Sequence, residues 1–110
     1  DKVHLTVDLL NEHPIELEQI SPDQTTDQIY RLCANQFQID RSLQSYWNLF
    51  FYYQENHHYF LIRPAFPFES PFHSLKQLEK HFQRPRLVLR KSYWNLDDDL
   101  KLIESPATRD

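Results

Sequence analysis

The chain has 110 residues, 40% hydrophobic, 15% aromatic and 25% charged, with a net charge of −4 when histidine is neutral. That length holds one domain, the aromatic content excludes a disordered segment, and the acidic balance makes a poor field for nucleic acid or an anionic lipid surface. Glycine is absent, which excludes the phosphate-cradling loops of nucleotide-binding proteins, because those need glycine where backbone approaches phosphate.

Val3, Leu5, Val7 and Leu9 alternate with Lys2, His4, Thr6 and Asp8, and a period of two predicts a half-buried first strand. The stretch "NEHP" at 11–14 is the predicted turn. "IELEQI" at 15–20 alternates again, as a second strand with Ile15 and Leu17 inward and Glu16 and Glu18 outward. "SPDQ" at 21–24 reads as loop. Thr25 with Gln28 three residues on fits a capping box. Ile29, Leu32, Cys33 and Phe37 then recur at helical spacing, so residues 26–37 are predicted to form an amphipathic helix, with Arg31, Asn35 and Gln38 off its apolar stripe.

Residues 39–46 form a predicted connector, anchored by Ile39 and Leu43. "WNLFFYY" at 47–53 is a strongly β-prone aromatic strand. "QENH" at 54–57 is a turn, and "HYFLIR" at 58–63 returns as the fourth strand. "PAFPFESPF" at 64–72 holds three prolines, and no regular element is expected there. Its Phe66, Phe68 and Phe72 are expected to plug the open end of the sheet, with a recognition loop as the alternative. "SLKQLEKHF" at 74–82 predicts a short helix with Leu75, Leu78 and Phe82 on one side, and "RLVLR" at 86–90 the last strand. The order β-β-α-β-β-(short α)-β predicts an α+β fold of the β-grasp, or ubiquitin-like, arrangement. It is a five-stranded mixed sheet around one main helix, plus a short second helix.

Little in this pattern points to chemistry. His57 and His58 are neighbours on an extended segment and point to opposite faces, so they cannot share one ion. Cys33 lies on the apolar stripe, where a thiol stays protonated and inert. As the one cysteine it can form no internal disulfide, in keeping with a reducing compartment. Asp97, Asp98 and Asp99 lack the alternating ligands and glycine of a calcium loop and read as a solvated linker or a helix start. No metal, cofactor or catalytic residue is expected, and the chain is not expected to be an enzyme. No apolar run is long enough for a membrane span and no signal peptide opens the chain, so no membrane insertion is expected. The first residue is Asp, and the chain is expected to be a fragment of a longer protein.

Two segments carry a family resemblance. "TTDQIYRL" (25–32) followed by "SYWNLF" (45–50) resembles the helix and third strand of the first FERM lobe in the PX-FERM sorting nexins. "LVLRKSYW" (87–94), followed by the Asp run, resembles the end of that lobe. The similarity spans about residues 3–104. One departure is "NEHP", where the family commonly has a Pro-Asp-Gly hairpin. The resemblance implies a cytoplasmic adaptor that sorts membrane cargo at endosomes, localised there through the full-length protein. Phosphoinositide would be read by a separate PX domain, and cargo tails of the Asn-Pro-x-Tyr type by another FERM lobe. Residues 1–91 would be the first lobe and 92–110 a linker toward the next.

The partner-facing candidates that follow are Glu16, Glu18, Arg31, Tyr93 and Trp94. Tyr93 and Trp94 would anchor the lobe junction or fold back on this lobe's own sheet. The alternative function is a Ras-association domain binding a Ras-family GTPase. Glu16 and Glu18 on the second strand disfavour contact with an acidic switch region, and Arg31 and Lys2 only partly offset them. A free-standing ubiquitin-like modifier would need a Gly-Gly tail and is not expected.

Overall fold

The computed structural model describes residues 1–10, 12–37 and 47–91. Five strands and two helices follow in the order β1 (Val3–Leu9), β2 (Glu12–Ile20), α1 (Thr26–Phe37), β3 (Trp47–Glu55), β4 (His58–Pro64), α2 (Pro71–Leu78) and β5 (Arg86–Lys91). The strands form one sheet in the order β2-β1-β5-β3-β4. β1 and β5 run parallel at its centre and every other neighbouring pair is antiparallel. This is the mixed β-grasp sheet that the element order predicts. The connector anchors Ile39 and Leu43, the linker 92–110, Tyr93, Trp94 and the three aspartates lie outside the described residues.

Alternation decides which side chains meet α1. Leu5 and Val7 of β1, Ile15 and Leu17 of β2, Leu49 and Phe51 of β3, and Leu87 and Leu89 of β5 are buried with Ile29 and Cys33 of α1 in one cluster. Leu32 and Phe37 pack on it from the same helix face, while Arg31 and Asn35 are exposed. The helix starts where its capping box says. The Thr25 N–H donates to Gln28 Oε1 at 3.0 Å, and the Gln28 N–H donates to Thr25 Oγ1 at 3.3 Å, so each side chain takes up a donor that the first turn leaves over.

Two of the element boundaries that differ from expectation turn on proline. β2 begins at Glu12, so "NEHP" is partly strand and not all turn. Val7 faces Ile15 while Leu9 faces Glu12, which inserts one extra β2 residue beside Pro14. A bulge on an edge strand is where a residue without an N–H costs no ladder bond. A second bulge falls between the pairs Leu5–Leu17 and Val3–Ile20, with Gln19 at φ 57°. The second helix starts at Pro71, not at Ser74, and stops at Leu78. Proline at the first helical position needs no donor and already has helical φ.

The β3–β4 turn shows how a chain without glycine makes a tight hairpin. Glu55 pairs with His58, and the two residues between them, Asn56 and His57, sit at φ 53° and 68°. Two successive left-handed residues are what a two-residue hairpin matched to strand twist requires. Asn tolerates that region; His carries a Cβ penalty of about 1–2 kcal/mol. His57→Gly is therefore expected to stabilise the domain by about 0.5–1 kcal/mol, less than the full penalty because glycine loses more backbone entropy. Urea unfolding at neutral pH checks this.

Candidate functional site

No group of three or more His, Cys, Asp or Glu among the described residues is placed to hold a metal ion. Burial pushes the Cys33 thiol up to about 12, so at neutral pH it is a protonated core side chain and not a nucleophile. His4 and His73 each lie beside an exposed carboxylate, Glu16 and Asp23. These are surface pairs on separate parts of the molecule. No helix of the described residues is long and apolar enough to cross a membrane.

Of the candidates read from the sequence, the described ones, Glu16, Glu18 and Arg31, do not form one patch. Glu16 and Glu18 are exposed on β2, alternating with the buried Ile15 and Leu17. Glu16 is held by its neighbours on β1. It accepts from the Thr6 hydroxyl at 2.8 Å and lies 2.5 Å from His4 Nε2. The His4 contact, then that of Thr6, lowers its carboxyl below the usual range. Arg31 stands on the solvent side of α1 and pairs with Asp27 one turn earlier at 3.2 Å. Such a pair is worth about 0.3–0.5 kcal/mol. The sheet and the core separate Arg31 from the outer face that carries Glu16.

That outer face has an apolar patch that the alternation argument overlooked. Phe50, Tyr52 and Val88 are buried in a second cluster, with Leu61 packed against it. The Arg90 guanidinium lies 5.0 Å from the Phe50 ring centroid and donates to the Tyr52 hydroxyl at 2.9 Å. Arg90, near the end of β5, roofs this patch. The signal was present in "WNLFFYY". An unbroken apolar run marks a strand covered on both faces.

The most tightly built surface feature is the turn after β4. Phe66, Pro67, Phe68 and Glu69 close on a 3.2 Å bond from the Glu69 N–H to the Phe66 carbonyl, with proline at the second position as such turns favour. The Glu69 carboxylate accepts from Arg63 Nη1 at 2.7 Å, Arg63 Nη2 at 2.9 Å, the Ser74 hydroxyl at 2.6 Å and the Phe66 N–H at 2.5 Å. Burial alone would push this carboxyl up. The bonds from Arg63, Ser74 and Phe66, with the Arg63 charge, outweigh burial and hold it below the usual range. The Glu69 carbonyl also accepts from the Thr26 N–H at 2.9 Å, which ties the turn to α1.

This scaffold does not bury the phenylalanines it carries. Phe66 is 42% exposed and Phe68 92%; only Phe72 is half-buried. The expectation that all three plug the sheet fails for Phe66 and Phe68. The Arg63 guanidinium lies 4.8 Å from the Phe51 ring centroid and 5.1 Å from that of Phe66.

A curled mixed sheet of five strands over one main helix, with a short second helix, has the ubiquitin-like β-grasp arrangement. The chain belongs to the F1 lobe family of the FERM domain of sorting nexins 17, 27 and 31, whose model matches residues 3–94. The match takes in both segments that carried the resemblance. No curated protein matches the chain.

Proposed function

We propose that this lobe is a non-catalytic scaffold in an endosomal cargo-sorting adaptor, a cytoplasmic sorting nexin of the FERM type. The observation that carries the proposal is the F1-lobe family match over residues 3–94. The fold agrees with it, because its hydrophobic investment goes into a rigid platform and its surface into ordered contacts. On this reading phosphoinositide and cargo tails are handled by other parts of the full-length protein, and residues 92–110 lead toward the next lobe, with Tyr93 and Trp94 at the junction.

The Ras-association alternative has less support. Such domains commonly add the edge of β2 to the GTPase sheet. Here that edge carries Pro14, two bulges and the exposed Glu16 and Glu18. Bulges and proline block strand addition, and the carboxylates repel an acidic switch region.

The test is localisation and sorting by the full-length protein. It should concentrate on endosomes, and deleting residues 1–91 should impair recycling of Asn-Pro-x-Tyr cargo. Even cytosolic distribution together with unchanged cargo traffic would refute the adaptor reading. Calorimetric binding of GTP-loaded Ras to this lobe tighter than about 10 µM, roughly −7 kcal/mol, would instead favour the alternative.

A further inference from the structure

The stretch that joins α2 to β5 carries an uneven charge. From Lys76 to Arg86 four cations, Lys76, Lys80, Arg84 and Arg86, stand against one carboxylate, Glu79, in a chain whose net charge is −4. Part of this stretch borders an open groove of about 620 Å³, lined by Glu79, Phe82, Gln83, Arg84, Pro85 and Arg86.

The two arginines of the groove differ from Arg63 and Arg90. Arg63 spends its guanidinium on Glu69, and Arg90 donates to the Tyr52 hydroxyl. Arg84 is exposed and makes no hydrogen bond or ion pair with any described residue. Arg86 lies 3.5 Å from Asp8, longer than a normal hydrogen bond, and its Nε is buried without an acceptor. The backbone holds this arrangement under strain. Arg84 sits at φ 48°, a left-handed conformation that its Cβ disfavours, while a following proline normally steers a residue to extended conformations. The segment is tied on both sides of it. The Gln54 N–H donates to the Gln83 carbonyl at 3.1 Å, and Arg86 enters β5 opposite Tyr52. Strain retained in this way beside a groove is a mark of ligand clamps.

The floor of the groove is apolar. The Phe82 ring lies 5.1 Å from that of Tyr53, which lies 5.2 Å from that of Phe60, itself 43% exposed. A row of three aromatics thus runs from the groove to the surface of β4.

We infer that this groove is a docking site for a short acidic peptide segment of a partner protein, with carboxylates held by Arg84 and Arg86 and a neighbouring apolar side chain laid on Phe82. The occupant follows from charge and shape. Guanidiniums with N–H groups to spare bind carboxylates through paired hydrogen bonds. The aromatic row offers an apolar side chain its contact next to them. Glu79 on the rim and the negative net charge disfavour an anionic membrane or a densely charged phosphate. The inference gives this lobe a ligand of its own and stands independently of the adaptor reading.

Fluorescence anisotropy with the 110-residue chain tests it. The probe is a fluorescein-labelled peptide, Glu-Glu-Ile-Glu-Glu-Tyr, in low salt. Saturable binding with a Kd on the order of 100 µM is expected, and nitrogen-edited NMR should show the largest shifts at the amides of 79–86. Arg84→Gln should weaken binding about tenfold, the worth of one charge-assisted hydrogen bond. Arg84→Gly should weaken it equally while leaving the melting temperature at or above that of the parent, because glycine takes that φ freely. Glu79→Gln should strengthen binding about two- to threefold by removing a like charge from the rim. The same peptide with glutamine in place of glutamate should not bind. Equal affinity of the parent and both Arg84 variants overturns the inference, as does equal affinity for the glutamine peptide or NMR shifts confined to another face. Co-sedimentation with phosphatidylserine vesicles that Arg84→Gln abolishes, in the absence of peptide binding, would assign the groove to a membrane and overturn it as well.

Discussion

Phe51→Ala should bring the lobe close to unfolding at room temperature. Phe51 has no exposed surface and sits mid-strand in β3, facing Leu87 of β5 on one side and Arg63 of β4 on the other. Its ring joins the cluster of Val7, Leu17, Ile29 and Cys33 and carries the Arg63 guanidinium. Truncating a buried Phe costs about 3–5 kcal/mol, because a cavity remains where the ring was. Whole domains are stable by only about 5–15 kcal/mol. A loss of that size should lower the melting temperature by roughly 15 °C or more. Urea unfolding monitored by tryptophan fluorescence gives the measurement, with Phe68→Ala as the matched control, expected within about 0.5 kcal/mol of the parent. A loss below about 1 kcal/mol for Phe51→Ala would mean that β3 does not centre the core.

The second large effect belongs to Glu69. Its side chain is 18% exposed and that of Arg63 33%, so the pair is more sheltered than a surface ion pair but is not fully dry. Removing one partner of a fully buried pair costs about 3–5 kcal/mol; partial solvent access reduces the expectation for Glu69→Ala to about 2–3 kcal/mol. The pH dependence has a definite sign. The folded-state carboxyl titrates below its ordinary value of 4.5, so the native state favours the ionised form. That contribution is fully present at neutral pH, begins to fade below about pH 4.5, and is lost as pH falls through the depressed value. The parent should therefore lose stability on going from pH 7 to pH 3, and Glu69→Gln should lose less over the same interval. Parallel curves for the two proteins would show that the carboxylate is not the acid-sensitive element.

What could be read in advance was whatever depends on near neighbours. The Thr25–Gln28 box spans three residues, and the period of two in β1 reveals its inward face without knowledge of its partner. Pro71 was misjudged because proline was weighed as a breaker, and at the first turn of a helix its missing N–H breaks nothing. Phe68 was misjudged for a deeper reason. Whether an aromatic is buried depends on the tertiary packing around it, and here the Arg63 guanidinium lies over the Phe51 ring while Phe68 stays 92% exposed. The outer patch of Phe50, Tyr52 and Val88 required the pairing of β3 with β5, two strands whose nearest ends lie about thirty residues apart. The same holds for Asp8, half-buried where β1 pairs with β5. Burial raises its carboxyl, Arg86 at 3.5 Å opposes the rise, and Glu16 adds to it. Separations of that kind leave no local trace.

Cys33 turns out to be a useful piece of chemistry for reasons unrelated to biology. It is the one thiol in the chain, has no exposed surface and stays protonated far above neutral pH. An alkylating reagent can reach it only when α1 lifts from the sheet. The labelling rate of the unaltered polypeptide, divided by the rate for an unfolded peptide thiol, therefore reads the opening equilibrium directly. Any tag or neighbouring segment that clamps the helix down will show as slower alkylation.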